Sequence, residues 1–162
     1  MSGQCNDILE ELESWYGGDD GRYVLEQTRA ALQPHLERAF GYHILQIGPA
    51  RGLSLSQGSL INHRIYAGER PGEGVDLITR GDELPLECDS VDVVIAHHSL
   101  EFVANPHQVL REVQRVLTPQ GHLLLVGFNP YSLHGINTRL RGLSGKCLWH
   151  AQSRRRFSLT GL

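Results

Sequence analysis

The sequence predicts an α/β fold, a doubly wound and mostly parallel sheet with helices on its faces. Three observations carry this. The runs HILQI, VDVVIA and HLLLVGF are short and almost continuously apolar, as strands covered on both faces are. Stretches with helical hydrophobic spacing alternate with them. A glycine-bearing turn, LQIGPARG, closes the first of these runs, where such a sheet turns from strand into crossover. Ligands of these sheets sit beyond the carboxyl ends of the strands, near the switch in strand order.

The elements follow in order. Ile8, Leu9, Leu12, Trp15 and Tyr16 recur at helical spacing and predict a first amphipathic helix. GGDDG breaks the chain. A second helix is expected from about Tyr23 to Phe40, with Leu25, Leu32, Leu36 and Phe40 on its apolar side, Pro34 kinking or restarting it and Gly41 ending it. HILQI is the first buried strand, and HRIYAG and VDLIT are weaker candidates. Only the six residues ERPGEG separate those two, whereas parallel neighbours need a crossover of roughly a dozen. Either they pair antiparallel or one is not a strand, and the helix between them is missing. VDVVIA, Val91 to Ala96, is a strong strand after the turn CDS. Asn105 and Pro106 start the next helix: asparagine caps, and proline at the first position has no amide proton to leave unpaired. Val109, Leu110, Val113, Val116 and Leu117 form its buried stripe. TPQG turns the chain into HLLLVGF, His122 to Phe128, and a last helix is expected at Leu133, Ile136, Leu140 and Leu143. Residues 1–40 are read as N-terminal helices packing on an α/β domain of residues 41–162, one structural domain in all.

Composition narrows the function classes. The chain has 162 residues, 40% hydrophobic and 20% charged, enough for one core. No apolar run approaches the roughly 20 residues of a membrane helix. The acidic, polar start MSGQCNDILEELES lacks a signal peptide's basic and apolar parts, so the expected address is cytoplasmic. Three cysteines, Cys5, Cys88 and Cys147, lie far apart without a CxxC pair, and nine histidines are scattered, so neither disulfides nor a metal site is expected. Net charge is −3, yet no acidic residue follows Glu112, while Arg115, Arg139, Arg141, Lys146, Arg154, Arg155 and Arg156 do. A solvated basic face is the plain account; attraction to an anionic partner is the sharper one. No aromatic or glycine pattern of a nucleic-acid module accompanies the arginines, so nucleic acid is not expected as a partner.

ILQIGPARG, ELPLECDSVDVVIAHHSLEFV and NPHQVLREVQRVLTPQGHLLLVGFNP together resemble the class I S-adenosylmethionine-dependent methyltransferases, in particular the methyltransferase type 11-like, small-molecule branch. The resemblance runs from about Phe40 to Pro130, and its specific part is the second half. It implies S-adenosylmethionine as cofactor and a small-molecule methyl acceptor, with an anionic one in keeping with the basic end. In the family the first strand ends in an acid and three alternating glycines. Gln46 stands where the acid would be, Gly48 and Gly52 match the outer glycines, and Ala50 replaces the middle one. Pro49 and Arg51 stiffen and charge the turn. Glu69, after HRIYAG, is the candidate for the carboxylate that accepts from the ribose hydroxyls, a solvated loop glutamate being the plain alternative. Asp82 matches the acid facing adenine, with closer spacing to LP than usual and with Glu83 as its substitute.

His97 and His98 follow the fourth strand and should face the cofactor cleft. They are the catalytic candidates, one of them acting as general base with Glu101 as partner; His97 is also a cofactor contact. The bland account has His97 packing on the cofactor and His98 capping a helix. NPYS, with Tyr131, resembles the Asn-Pro-Pro-aromatic motif of amino-group methyltransferases but follows the fifth strand rather than the fourth, so a turn with Tyr131 at the substrate entrance is the simpler account. The family's sheet carries two further strands, which predicts a truncated chain, an unpaired apolar edge at HLLLVGF and either poor solubility as a monomer or a homodimer through that edge. Gln46 and Ala50 also fit a non-catalytic methyltransferase-like binding module. A dinucleotide oxidoreductase lacks its GxGxxG spacing here.

Overall fold

In the computed structural model the residues described are 12–48, 53–101 and 103–127, all within the compact unit of residues 1–127. The element order is α1 (helical over its described residues 12–17), α2 (Asp19–Leu36), β1 (His43–Ile47), a 3-10 turn (Ser56–Gly58), β2 (His63–Gly68), β3 (Leu77–Ile78), β4 (Val91–His97), α3 (Pro106–Val116) and β5 (Leu117–Val126). The strands lie in the order β3-β2-β1-β4-β5, every neighbouring pair parallel. The chain winds outward from β1 to β3, then crosses back to β4 and β5. This is the doubly wound sheet the sequence predicts, with its switch between β1 and β4.

Strand alternation sorts the two faces. Leu45, Ile47, Ala67 and Val94 share one buried cluster with Val109, Val113 and Val116 of α3. An isolated helix as short as α3 is marginal in water. Its three fully buried valines, at about 1.5–3 kcal/mol each, stabilise it against the sheet. The predicted cap is present: the Asn105 side chain accepts from the Gln108 amide at 3.3 Å, with Pro106 behind it. Ile44, Gln46, Tyr66, Val93, Ile95 and His97 alternate to the opposite face, where Tyr16 of α1 meets His97.

Several expectations are corrected. The second helix begins at Asp19, not near Tyr23, and ends at Leu36, not Phe40. The GGDDG break is a bend at Gly18 alone, because Asp19 and Asp20 occupy a first helical turn, where acidic groups oppose the helix dipole. Pro34 sits in the last turn of an unbroken helix, and Gly41 lies past its end. Gly41 serves another purpose. Its φ is +151°, and a Cβ there would fall 2.1 Å from the Asp92 carboxyl carbon. Asp92 accepts from the amides of Tyr42 (2.7 Å) and His43 (3.0 Å), tying the start of β1 to β4.

The β2–β3 pair is parallel, not antiparallel, although no helix joins the strands. The usual crossover length does not bind here because β3 is two residues long and pairs only with the last two of β2, Ala67↔Leu77 and Gly68↔Ile78. The return is clamped by Asp76, whose amide donates to the Tyr66 carbonyl (2.9 Å) while its carboxylate accepts from the Tyr66 amide (2.8 Å). TPQG lies inside β5 rather than before it, as a bulge between the Val91↔Leu117 and Val93↔His122 pairs. Among the described residues β5 is an edge of the sheet, with Leu125 exposed. The expected helix at residues 133–143, NPYS, Cys5 and Cys147 lie outside the described residues.

LPL of ELPLECDSVDVVIAHHSLEFV and RVL of NPHQVLREVQRVLTPQGHLLLVGFNP prove to be in contact. Arg115 pairs with both carboxylate oxygens of Glu112 (2.9 and 2.8 Å) and donates to the carbonyls of Leu84 and Leu86 (2.8 Å each). Glu112 in turn accepts from the Leu84 amide at 3.0 Å. The hydrogen bond from Arg115 holds the Glu112 carboxyl below the usual carboxylate range. Arg115→Met leaves two carbonyls and a carboxylate without this donor and should lower the urea unfolding midpoint. An unchanged unfolding midpoint would contradict this clamp.

Candidate active site

Strand register brings the functional positions to one line. Ile47 is level with Ala67 and Ala96, so Gly48 stands level with Gly68 and His97, and His97 with Val126. The line runs across the carboxyl ends of β2, β1, β4 and β5, at the switch point. The Gly48 amide donates to the Ala67 carbonyl at 3.2 Å. A Cβ on Gly48 would lie 2.5 Å from the His97 carbonyl oxygen and 3.1 Å from its Cβ. Glycine is therefore required for the ends of β1 and β4 to close on each other. Pro49, Ala50 and Gly52, expected to hold the cofactor, lie outside the described residues, as does Arg51.

Gln46 shows what replaces the family's acid. It is buried, its Nε2 donates to the Leu53 carbonyl (2.9 Å), and its Oε1 accepts from the Leu55 amide (2.8 Å). A carboxylate could accept but not donate. The amide thus fastens both directions of the chain that emerges from the turn. Its partner in register is Tyr66, whose hydroxyl pKa burial pushes up against the opposing effect of a hydrogen bond with Gln46.

His97 and His98 do come together, and with a residue the sequence assigned only to a helix stripe. The Tyr16 hydroxyl lies 2.7 Å from His98 Nε2 and 3.2 Å from His97 Nε2. His98 Nδ1 lies 2.6 Å from Glu101 Oε2. Tyr16, His97 and His98 are buried, and Glu101 is partly exposed. His98 has φ +51°, a costly conformation for a residue with a Cβ, typical of residues that surrounding structure holds in place. Its amide bond to the Val126 carbonyl (2.8 Å) and its ring bonds supply that hold. Burial, with His98 adding to it, pushes the His97 pKa down to about 3, so this ring is neutral at physiological pH. Burial first, and the charge of Glu101 second, push the Tyr16 hydroxyl up. Two buried polar atoms have no hydrogen-bond partner among the described residues here: His97 Nδ1 and Ser99 Oγ.

The two acidic candidates flank this line. Glu69 is exposed and directly follows β2. Asp82 follows β3, partly buried and paired with Arg80 at 2.6 Å. Its neighbour Gly81 places the turn against Ile47 at the end of β1, where an added Cβ would stand 3.5 Å away. A hollow of about 460 Å³ lined by Arg38, Phe40, Asp92 and His122 lies instead at the amino-terminal ends of the strands, away from these groups.

Residues 45–125 match the family model described as a methyltransferase domain. The chain belongs to this family. Among curated proteins it is similar to the uncharacterized protein YafS of Escherichia coli (strain K12), 30% identical over 118 residues, 72% of this chain and 48% of that one. The chain thus spans about half the length of the curated relatives it matches, 48% and 57% for the first two. Its fold is that of a SAM-dependent methyltransferase from Thermotoga maritima (TM-score 0.60, 19% identity, 87% of this chain and 68% of that one) and of the YcgJ protein from Bacillus subtilis (0.56, 18%, 74% and 58%). The family's cofactor is S-adenosylmethionine. The described residues fit it: Gly48 leaves the strand ends bare, unpaired buried polar atoms stand beside it, and a carboxylate follows β2.

Gln46→Glu restores the family's acid, yet here it sets a carboxylate oxygen against the Leu53 carbonyl. We expect it to destabilise the fold by about 1–3 kcal/mol near pH 7. A glutamate so buried has a raised folded pKa. The penalty should therefore be small below about pH 4, near the unfolded value, and grow as pH rises toward the folded one. Equal or higher stability for the variant at pH 7 would contradict this account.

Proposed function

We propose that the chain is the methyl-donor-binding part of an S-adenosylmethionine-dependent methyltransferase acting on a small-molecule acceptor. What supports this most is the line Gly68, Gly48, His97 at the switch point, with His97 Nδ1 at the end of β4 and Ser99 Oγ just after it, both buried and without a hydrogen-bond partner among the described residues. Buried polar atoms are nearly always satisfied, so a pair without partners at a strand end fits a place where a ligand or an ordered water completes them. When bound, the sulfonium supplies an already activated methyl group. The chain has little acid–base work left beyond aligning the acceptor and taking its proton.

The residue roles are those the family resemblance implies for these positions. Glu69, leaving β2, accepts from the ribose hydroxyls, and Asp82 or Glu83, at the turn over the end of β1, faces adenine. Gly48 and the turn after it admit the methionine part, with Gln46 fixing the far side of that turn. His97 and His98 line the acceptor side. The basic residues beyond Glu112 favour an anionic acceptor. A non-catalytic binding module is the second reading. It is favoured by Gln46, which stands where the family's acid would be.

Calorimetric titration with S-adenosylmethionine tests the first point. Micromolar binding is expected, abolished by Gly48→Val and weakened about 10-fold or more by Glu69→Gln. No binding to the unaltered chain would overturn the proposal. Binding without methyl transfer across a panel of small hydroxyl and amine acceptors would favour the second reading.

A further inference from the structure

We propose that Tyr16 joins His97 to His98 and Glu101 in a single proton relay, entered at His97 Nδ1 and ending on the Glu101 carboxylate. The chain of contacts is His97 Nε2, Tyr16 hydroxyl (3.2 Å), His98 Nε2 (2.7 Å), then His98 Nδ1 to Glu101 Oε2 (2.6 Å). Of the four ring nitrogens three are engaged, and only His97 Nδ1 is left open among the described residues. A carboxylate only accepts, so His98 carries its proton on Nδ1 and offers a lone pair at Nε2. Tyr16 donates there. Its oxygen then accepts from His97 Nε2–H, which leaves the open Nδ1 as a lone pair. With both rings neutral, this proton arrangement satisfies these three contacts, and it points one way.

This rests on the methyltransferase reading for its use. His97 is a poor lone base because burial opposes any charge on it. The relay removes that need. As the acceptor's heteroatom–hydrogen bond breaks, its proton binds His97 Nδ1. The Nε2 proton passes to the Tyr16 oxygen, the Tyr16 proton to His98 Nε2, and the His98 Nδ1 proton to Glu101. The acceptor's electron pair forms the new bond to the methyl carbon, and the carbon–sulfur pair stays on the donor's sulfur. The imidazoles and the phenol end neutral, and one carboxylate ends protonated. Tyr16 is a positioning residue in this scheme, acting through His97. Its contribution comes from the N-terminal helix, buried like its neighbour Leu12 one turn earlier.

Nitrogen-15 spectra of the histidine rings in the full chain, without donor, read the arrangement directly. We expect His97 protonated at Nε2 only and His98 at Nδ1 only, with Tyr16→Phe abolishing the single-tautomer state of His97 while the urea midpoint shows a folded protein. His97 protonated at Nδ1, or a Tyr16→Phe spectrum identical to the parent's, would overturn the relay. Glu101→Gln is the second variant, since its carbonyl can still accept from His98 while it cannot take up the proton. With donor and acceptor present, either variant should lower kcat by roughly 100-fold and leave donor affinity unchanged. Unchanged kcat would overturn the catalytic use of the relay. Failure of the unaltered chain to bind donor would instead sink the methyltransferase reading and leave the tautomer result standing.

Discussion

The close approach of β1 to β4 at Gly48 is the constraint on which the rest of the site depends. Parallel register alone places Gly48 beside His97, but only a residue without a side chain lets the first strand end against the His97 carbonyl. That contact fixes the His97 backbone. The next residue, His98, takes a left-handed conformation, held by its amide's hydrogen bond to the Val126 carbonyl of β5. The Tyr16 hydroxyl reaches the Nε2 atoms of both rings. A side chain at Gly48 would have to part the strands and would disperse every group the site collects.

The face of the sheet that Tyr16 of α1 meets is unusual in carrying Gln46, Tyr66 and His97 among aliphatic side chains. Polar groups buried this way destabilise a fold unless they are paired. Gln46 and Tyr16 are what make the arrangement tolerable. The first needs both a donor and an acceptor and finds one of each in the backbone of the crossover. The second supplies the one hydroxyl that two imidazoles can share. The remaining open atoms, His97 Nδ1 and Ser99 Oγ, lie at the carboxyl end of the central strands, where doubly wound sheets bind their ligands. The opposite face is apolar and is locked by Arg115.

Much of this was legible in the residues. Alternation and apolar runs located the strands, and Asn105 with Pro106 marked the start of α3 to the residue, because capping is local chemistry. Boundaries that depend on tertiary contact were not. Asp19 and Asp20 belong to a helix although GGDDG reads as a breaker, and Gly41 serves the Asp92 carboxylate rather than a helix end. The parallel β3 was missed because a length rule for full crossovers does not govern a pairing only two residues long. In the site, Gly48, His97, His98 and Glu101 could be placed by their offsets from strand ends. Tyr16 could not. It lies 81 positions from His97, and in sequence it is one aromatic in a helical stripe. Gln46 looked like a loss until the carbonyl of Leu53 showed why a donor is needed.

The account turns on a nucleoside sulfonium being received at the carboxyl ends of β1, β2 and β4. Titrating the isotope-labelled chain with S-adenosylhomocysteine, and following its amide resonances, tests that most directly. Saturable shifts should appear at Gly48, Glu69, His98 and Ser99, with the amides of Phe40 and Thr118 at the other end of the sheet unmoved. Shifts confined to the hollow around Arg38, Phe40 and His122, or none at all at saturating ligand, would contradict it.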